Sequence, residues 1–363
     1  MKKIFQITLL AGLAMGLHLF AEKVKDGTPY SPMKKPQIQQ VDGLEPGYEV
    51  NSNSMAHGYS YPGRISVNDD WDFYTYLSFL YWQMIADGYD FIYHINTNTQ
   101  RYDAVRFPHK WKPALKAGLA MTFHRHDDWQ LLGEYFRYYS TTHVSAEKRP
   151  GAENVLRAVT WIFLFPIDVQ SADGRLKVGI DAVNLSLGRP YYLGTKLIIN
   201  PFFGIHAAWI HQEMNTNVYD LDDAPPGYVP GYFKSKSWSL GLRTGFDAKF
   251  LLGEGFRFFG KGACSLDYRR HHSSALAYRY LNPQYFLLNS SSRLRPELEL
   301  GGGFGWGTYM DDYNYHLDLS AGYDMYLIYK EQNIMYDIWD YAFKFKPMNL
   351  CLHGLTITAR LDF

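Results

Sequence analysis

Charged side chains stand on one parity along several stretches of this chain. Arg243, Asp247 and Lys249 do so in one, Arg257, Lys261 and Asp267 in the next, then Arg295, Glu297 and Glu299, then Asp318 and Asp324. Earlier stretches add Lys112, Lys116, Glu134, Lys177 and Asp181, and the last adds Arg360. A period of two places each set on one face of a β-strand, where a helix would scatter it. Electrostatics is the chemistry open to such faces. Charges lining an enclosed water path admit small hydrophilic solutes and sort ions by sign. The two signs nearly balance here, which predicts weak ion selectivity. The alternative is that the charges pair across strands and merely fill a wall.

Other groups lack the spacing their chemistry needs. His124, His126, Asp127 and Asp128 crowd one predicted turn, but crowding does not imply ligand geometry, so no metal site is expected. Gly301 to Gly307 lacks the Lys-Ser/Thr ending of a phosphate loop and suits a tightly curved strand. Ser and His are plentiful, yet no spacing marks a nucleophile with its base. No catalytic residue, enzyme activity or cofactor is expected. Cys264 and Cys351 are too few for a disulfide scaffold. Both fall on the outward register of non-neighbouring strands, so free thiols are expected, with intermolecular bridging left open. Lys and Arg number 36 against 36 Asp and Glu, and an equal count offers no electrostatic footprint for nucleic acid. Arg269-Arg270-His271-His272 begins a predicted outer loop, either touching anionic lipopolysaccharide or simply solvated.

The faces opposite the charges are apolar. Trp238, Leu240, Leu242, Thr244, Phe246, Ala248 and Phe250 share one parity in their stretch. In the last stretch Leu355, Ile357, Ala359, Leu361 and Phe363 stand against Thr356, Thr358, Arg360 and Asp362. That stretch resembles the closing strand of a bacterial outer-membrane β-barrel. In that class Phe363 takes the part of the signal read by the barrel assembly machinery.

Residues 1–21 read as a signal peptide, with Lys2 and Lys3 ahead of an apolar run from Ile4 to Phe20 and then Ala21. Without Lys2 and Lys3 the balance is 34 against 36, about −2. Residues 22–70 form a Pro/Gly-rich leader with Pro29, Pro32, Pro36, Pro46 and Pro62, and one weak strand near 58–67. Residues 71–363 are expected to be the barrel. After Phe20 no apolar run is long enough for a membrane helix, so a membrane protein built from this chain must cross with strands. Aromatics make up 17 %, with 30 Tyr against 9 Trp, a surplus that suits interfacial girdles.

Predicted strands run over 71–83, 89–96, 111–124, 129–140, 175–187 and 196–212, then over 236–250, 256–269, 293–308, 315–329 and 349–363. Short links at 85–88, 125–128, 188–195, 251–255 and 309–314 alternate with long ones at 97–110, 141–174, 213–235, 270–292 and 330–348. The expected fold is all-β, a transmembrane antiparallel up-and-down barrel with short periplasmic turns and long extracellular loops. Parity adds the weak strand near 58–67, for about twelve strands. Val155 to Phe165 is too apolar to lie in water. It is read as a constriction folded into the lumen and carrying Arg157 and Trp161, as a subunit contact, or as an extra lipid-facing strand. A homo-oligomer is left open, and outer-membrane lipids and lipopolysaccharide are the expected surroundings.

Three landmarks in order carry a family resemblance. They are Phe79-Leu80-Tyr81-Trp82 followed by Asp87-Gly88-Tyr89-Asp90, then Gly188-Arg189-Pro190-Tyr191-Tyr192 with Pro201 to Ile210, and then Leu251-Leu252-Gly253-Glu254-Gly255-Phe256. Together they resemble the pore-forming, major-outer-membrane-protein-like family of Legionella and chlamydia-related bacteria, over Asp70 to Phe363. The resemblance implies an outer-membrane porin and carries no catalytic residues with it. A structural or adhesive surface protein with a plugged barrel is the alternative.

Overall fold

The computed structural model describes residues 62–65, 67, 73–86, 89–123, 128–158, 167–221, 228–279, 282–286, 290–338 and 342–363. Stretches of period-two alternation become strands. These are β1 (Phe73–Ala86), β2 (Asp90–Asn96), β3 (Arg101–Arg106), β4 (Trp111–Phe123), β5 (Trp129–Glu147), β6 (Asn154–Ala158), β7 (Ile167–Gly188) and β8 (Tyr191–Leu193). There follow β9 (Leu197–Leu221), β10 (Tyr228–Gly253), β11 (Phe256–Arg279), β12 (Asn282–Phe286), β13 (Ser290–Met310), β14 (Tyr315–Ile338) and β15 (Ala342–Asp362). Ten of them close a ring in the order β1-β4-β5-β7-β9-β10-β11-β13-β14-β15 and back to β1, antiparallel throughout. Closure removes the sheet edges that lipid could not satisfy.

The wall therefore holds ten strands, not twelve. Residues 89–96 form no wall strand. They make β2, which pairs with β3 and β6 in an extension at the outer end. Around 58–67, Pro62 makes an isolated bridge to Tyr191, and Gly63 N donates to Pro190 O at 3.0 Å. Among the described residues the ring keeps an even number of strands, and β1 opens it. Its first residue, Phe73, exchanges backbone hydrogen bonds with Phe363, so β1 starts at the same end as the close of β15. The signal peptide and nearly all of the leader lie outside the described residues.

The predicted long loops after β9, β11 and β14 are mostly continued strand. β10 has 26 residues and β9 has 25, where roughly 9–11 tilted residues cross a bilayer. The extra length stands beyond the lipid, and there the two faces exchange character. In the membrane half the outward residues are apolar and exposed, as with Leu77, Phe79, Leu242, Phe304 and Ile357. In the outer half of β7 the inward residues Leu176, Val178 and Ile180 are fully buried. The outward ones there are polar and partly exposed, including Lys177 and Asp181. Each face follows its solvent: lipid outside below, water outside above.

The glycine run of β13 serves close packing between strands. A Cβ on Gly303 would sit 2.2 Å from Ala321 O and 2.5 Å from the Gly322 Cα. Gly303→Ala is expected to push β13 from β14 and to lower barrel stability by about 1–3 kcal/mol. The midpoint of urea unfolding in detergent checks this.

Candidate functional site

The interior of the ring is the place where the predicted charges meet. Lys112, Lys116, Glu134, Arg243, Asp247, Lys249, Arg257, Lys261, Asp267, Arg295, Glu297, Glu299, Asp318, Asp324 and Arg360 all lie on the inward parity of their strands. Lys177 and Asp181 do not. Lys177 pairs with Glu213 at 3.3 Å on the outer surface, and Asp181 accepts from the Tyr135 hydroxyl at 2.6 Å. The prediction took the polar face of β7 as inward along its whole length, but above the lipid the polar face is the outer one.

The inward charges pair at three levels. Nearest the β1 start, Arg257 meets Asp318 and Arg360 meets Asp362, while the Arg360 guanidinium covers the Tyr74 ring at 3.6 Å. In the middle, Arg243 grips both oxygens of Glu299 at 3.1 and 3.0 Å. Lys116 lies 3.3 Å from Glu134, and Lys261 lies 2.8 Å from Asp324. Asn184 and Tyr76 also donate to Glu134. Arg243 and Glu299 sit on β10 and β13, which are not neighbours, so their contact crosses the interior.

At the third level the crossing is complete. Arg269 on β11 is 0 % exposed and donates to Glu297 on β13, to Glu331 on β14 and, at 3.0 Å, to Ser239 on β10. The Tyr326 hydroxyl donates to Glu297 Oε2. The Tyr326 ring packs on Phe136 of β5 at 6.2 Å, and Phe136 on Trp82 of β1 at 5.4 Å. A septum of aromatic rings and ion pairs thus runs from β1 and β5 across to β10 and β11. Just below it is a cavity of about 20 Å³, touched by Trp82, Lys116, Glu134, His206, Glu299 and Tyr326 among others, room for about one water.

Above the septum the segment after β1 folds inward. The Tyr89 hydroxyl donates to inward-facing Gln212 at 2.9 Å, and Phe91 packs edge-on against Phe107 at 5.6 Å. Both phenylalanines stand against Gly174, where a Cβ would come within 3.0 Å of each ring. Among the described residues, this is the segment that enters the ring; of the predicted constriction 155–165, only 155–158 are described. Arg157 lies on β6 in the outer extension, bidentate to Asp168 at 2.7 and 3.0 Å. Trp161 lies outside the described residues.

Sequence reasoning missed Glu331 and the part played by Arg269. Lys330 adopts φ 55°, a bulge that shifts the register between Ile328 and Gln332 and turns Glu331 inward against simple parity. A non-glycine residue in that conformation leaves no sequence signal. Arg269 continues the parity of Arg257, Lys261 and Asp267, but the predicted outer loop begins there and hides its part.

On the outer extension a polar cleft of about 370 Å³ is lined by His94, Asn96, Thr99, Arg101, Asp103 and Arg149 with their neighbours. Hydrogen bonds from Arg149 and Arg101 hold the Asp103 carboxyl below its ordinary range. Outside, Trp238 and Tyr268 pack at 6.0 Å on the lipid-facing side, with exposed Lys236, Arg270 and His272 farther along the same strands. Cys264 and Cys351 are free, on β11 and β15, which are not neighbours in the ring.

Among solved structures the chain is similar to the outer membrane protease OmpT from Escherichia coli, at 9 % identity, 83 % of this chain, 99 % of that chain and a TM-score of 0.41. It is also similar to Ail, the attachment invasion locus protein of Yersinia pestis, at 8 % identity, 80 % and 99 % coverage and a TM-score of 0.23. A Pseudomonas aeruginosa FadL homologue matches at 6 % identity, 81 % and 90 % coverage and a TM-score of 0.30. No curated protein sequence matches the chain. A family profile described as Legionella pneumophila major outer membrane protein precursor matches residues 66–363. With that span covering the whole ring, the chain belongs to the Legionella major outer membrane protein family and is a β-barrel of the bacterial outer membrane.

Proposed function

We propose that this chain works as a closed barrel: a structural, non-catalytic element of the outer membrane that meets its surroundings through its outer end. The septum carries this reading. Side chains lining an open water path stay solvated, whereas Asp267 and Arg269 are 0 % exposed and Glu297 is 3 % exposed. A ten-stranded ring is nearer in size to barrels of about eight strands, whose interiors fill with side chains, than to the porins of roughly 16–18 strands with aqueous channels. Contact with the environment then falls to the polar cleft on the outer extension. It falls also to Lys236, Arg270 and His272 beside Trp238 and Tyr268, a group whose positive charge suits anionic lipopolysaccharide. Phe363, stacked on Phe73 at 6.4 Å, keeps its proposed part as the assembly signal, which Phe363→Ala tests by the yield of folded barrel.

Diffusion of small solutes is the second reading. It is supported by the family resemblance and by the charged lining below the septum. Single-channel recording in a planar bilayer separates the two. The folded, heat-modifiable barrel is expected to give no stable conductance steps. Regular steps with weak ion preference would overturn the closed reading and establish the porin one.

A further inference from the structure

His206 holds a place in the interior that its neighbours do not explain. It is 2 % exposed, on β9, and its Nδ1 lies 2.6 Å from Asn184 Oδ1. Asn184 Nδ2 donates to Glu134, so its Oδ1 faces the imidazole and accepts from Nδ1–H. The other ring nitrogen, Nε2, then turns its lone pair toward Glu297 Oε2 at 3.2 Å and Asp267 Oδ2 at 3.5 Å. Nε2 makes no well-directed hydrogen bond, nor does either oxygen of Asp267, which is itself 0 % exposed with Ser239 beside it. Three electron-pair donors thus face one another in a buried interior, where an unpartnered polar group is costly.

The nearby fixed charges leave room for a cation. Asp267, Glu297 and Glu331 oppose Arg269 and Arg295, an excess of one negative charge. Arg269 takes Glu297 through Oε1 and stands 3.7 Å from Asp267 Oδ2, beyond hydrogen-bond distance, and the Tyr326 hydroxyl takes only one lone pair of Glu297 Oε2. The donor atoms of His206, Asp267 and Glu297 all lie within 4.8 Å of one another. A tetrahedral ion with bonds of about 2.0–2.1 Å spaces its ligands by about 3.3 Å, which falls between the two nitrogen–oxygen separations. One imidazole and two carboxylates suit a borderline ion such as zinc, whereas calcium needs more oxygens at longer range. An outer shell is in place as well. Asn184 sets the imidazole tautomer, Arg269 holds the far oxygen of Glu297, and the Tyr326 hydroxyl meets its near one.

We propose that His206, Asp267 and Glu297 bind a divalent transition-metal ion of the zinc type, which pins β9, β11 and β13 together through the interior. The proposal shares with the closed reading the burial of Asp267 and Glu297, and zinc binding is measured separately from conductance.

The test uses the full folded chain in detergent, stripped with a chelator and titrated with zinc by calorimetry. Metal content is measured after gel filtration, and cobalt serves as a spectroscopic probe. The expected result is about one zinc per chain, a raised thermal midpoint, and the strong visible bands of four-coordinate cobalt. Asp267→Asn keeps the side-chain shape and is expected to lose zinc affinity by roughly 100-fold or more, and Asn184→Leu by about 10–100-fold. Wild-type barrel that binds no zinc and shows no cobalt bands would overturn the proposal, leaving a proton on His206 as the missing charge. Undiminished zinc binding by folded Asp267→Asn would overturn it too. Should the variants fail to fold, the wild-type zinc stoichiometry and cobalt spectrum still decide.

Discussion

Arg269→Ala is expected to destabilise the folded barrel by about 3–5 kcal/mol, the cost of breaking a buried ion pair from one side. The reason is what the substitution leaves behind. Glu297 and Glu331 are 3 % and 2 % exposed and both depend on the same guanidinium. Without it, both carboxylates, and Asp267 at 3.7 Å, lose their shared cation in a medium that screens them poorly. Urea unfolding in detergent, followed by tryptophan fluorescence and by heat-modifiable migration, measures the loss. The matched control is Arg269→Met with Glu297→Gln and Glu331→Gln, which removes all three charges while keeping volume. Replacing a buried charged triad by neutral groups is often neutral or stabilising, so the triple variant is expected to recover much of the loss, short of what Asp267 still costs without Arg269 at 3.7 Å. A single-variant loss below about 1 kcal/mol would place Arg269 in water, since solvated pairs contribute no more than that. The septum would then be open.

Leu242→Arg is the second large effect, at about 2–4 kcal/mol, because a cation on the lipid face is costliest at the bilayer midplane. Leu242 is 75 % exposed on the outer face of β10, midway along the apolar row from Trp238 to Phe250. A soluble protein would accept arginine at so exposed a position almost freely. The contrast comes from the outer half of the wall. Lys177→Ala is expected to cost less than about 1 kcal/mol, since its pair with Glu213 sits at a wetted surface. Refolding each variant into lipid vesicles and titrating with denaturant gives both numbers. Equal costs at the two positions would contradict the placement of lipid and water along these strands.

The same boundary explains what was legible before the fold was known. Within the membrane half, period two assigns the side chains of β10, β11, β13 and β15 correctly, because one solvent lies on each side. At Lys177 and Asp181 the alternation is just as regular, yet the sides are exchanged. Nothing local distinguishes a polar residue facing a lumen from one facing bulk water. The segment 89–96 alternates too little to choose, with Phe91 and Ile92 adjacent and both buried. It was read as wall where it serves as part of the outer extension.

By itself, then, the chain determined that most of its length is antiparallel strand, which residues share a face, and that the interior is rich in both signs of charge. These follow from a two-residue period, a property of neighbours in sequence. The number of strands in the ring, the inward turn of Glu331, and the meeting of His206 with Asp267 and Glu297 were decided only by closure. Strands far apart in sequence must first be brought around one axis, at a diameter small enough for their side chains to touch across it. Only then does a charge find a partner instead of water.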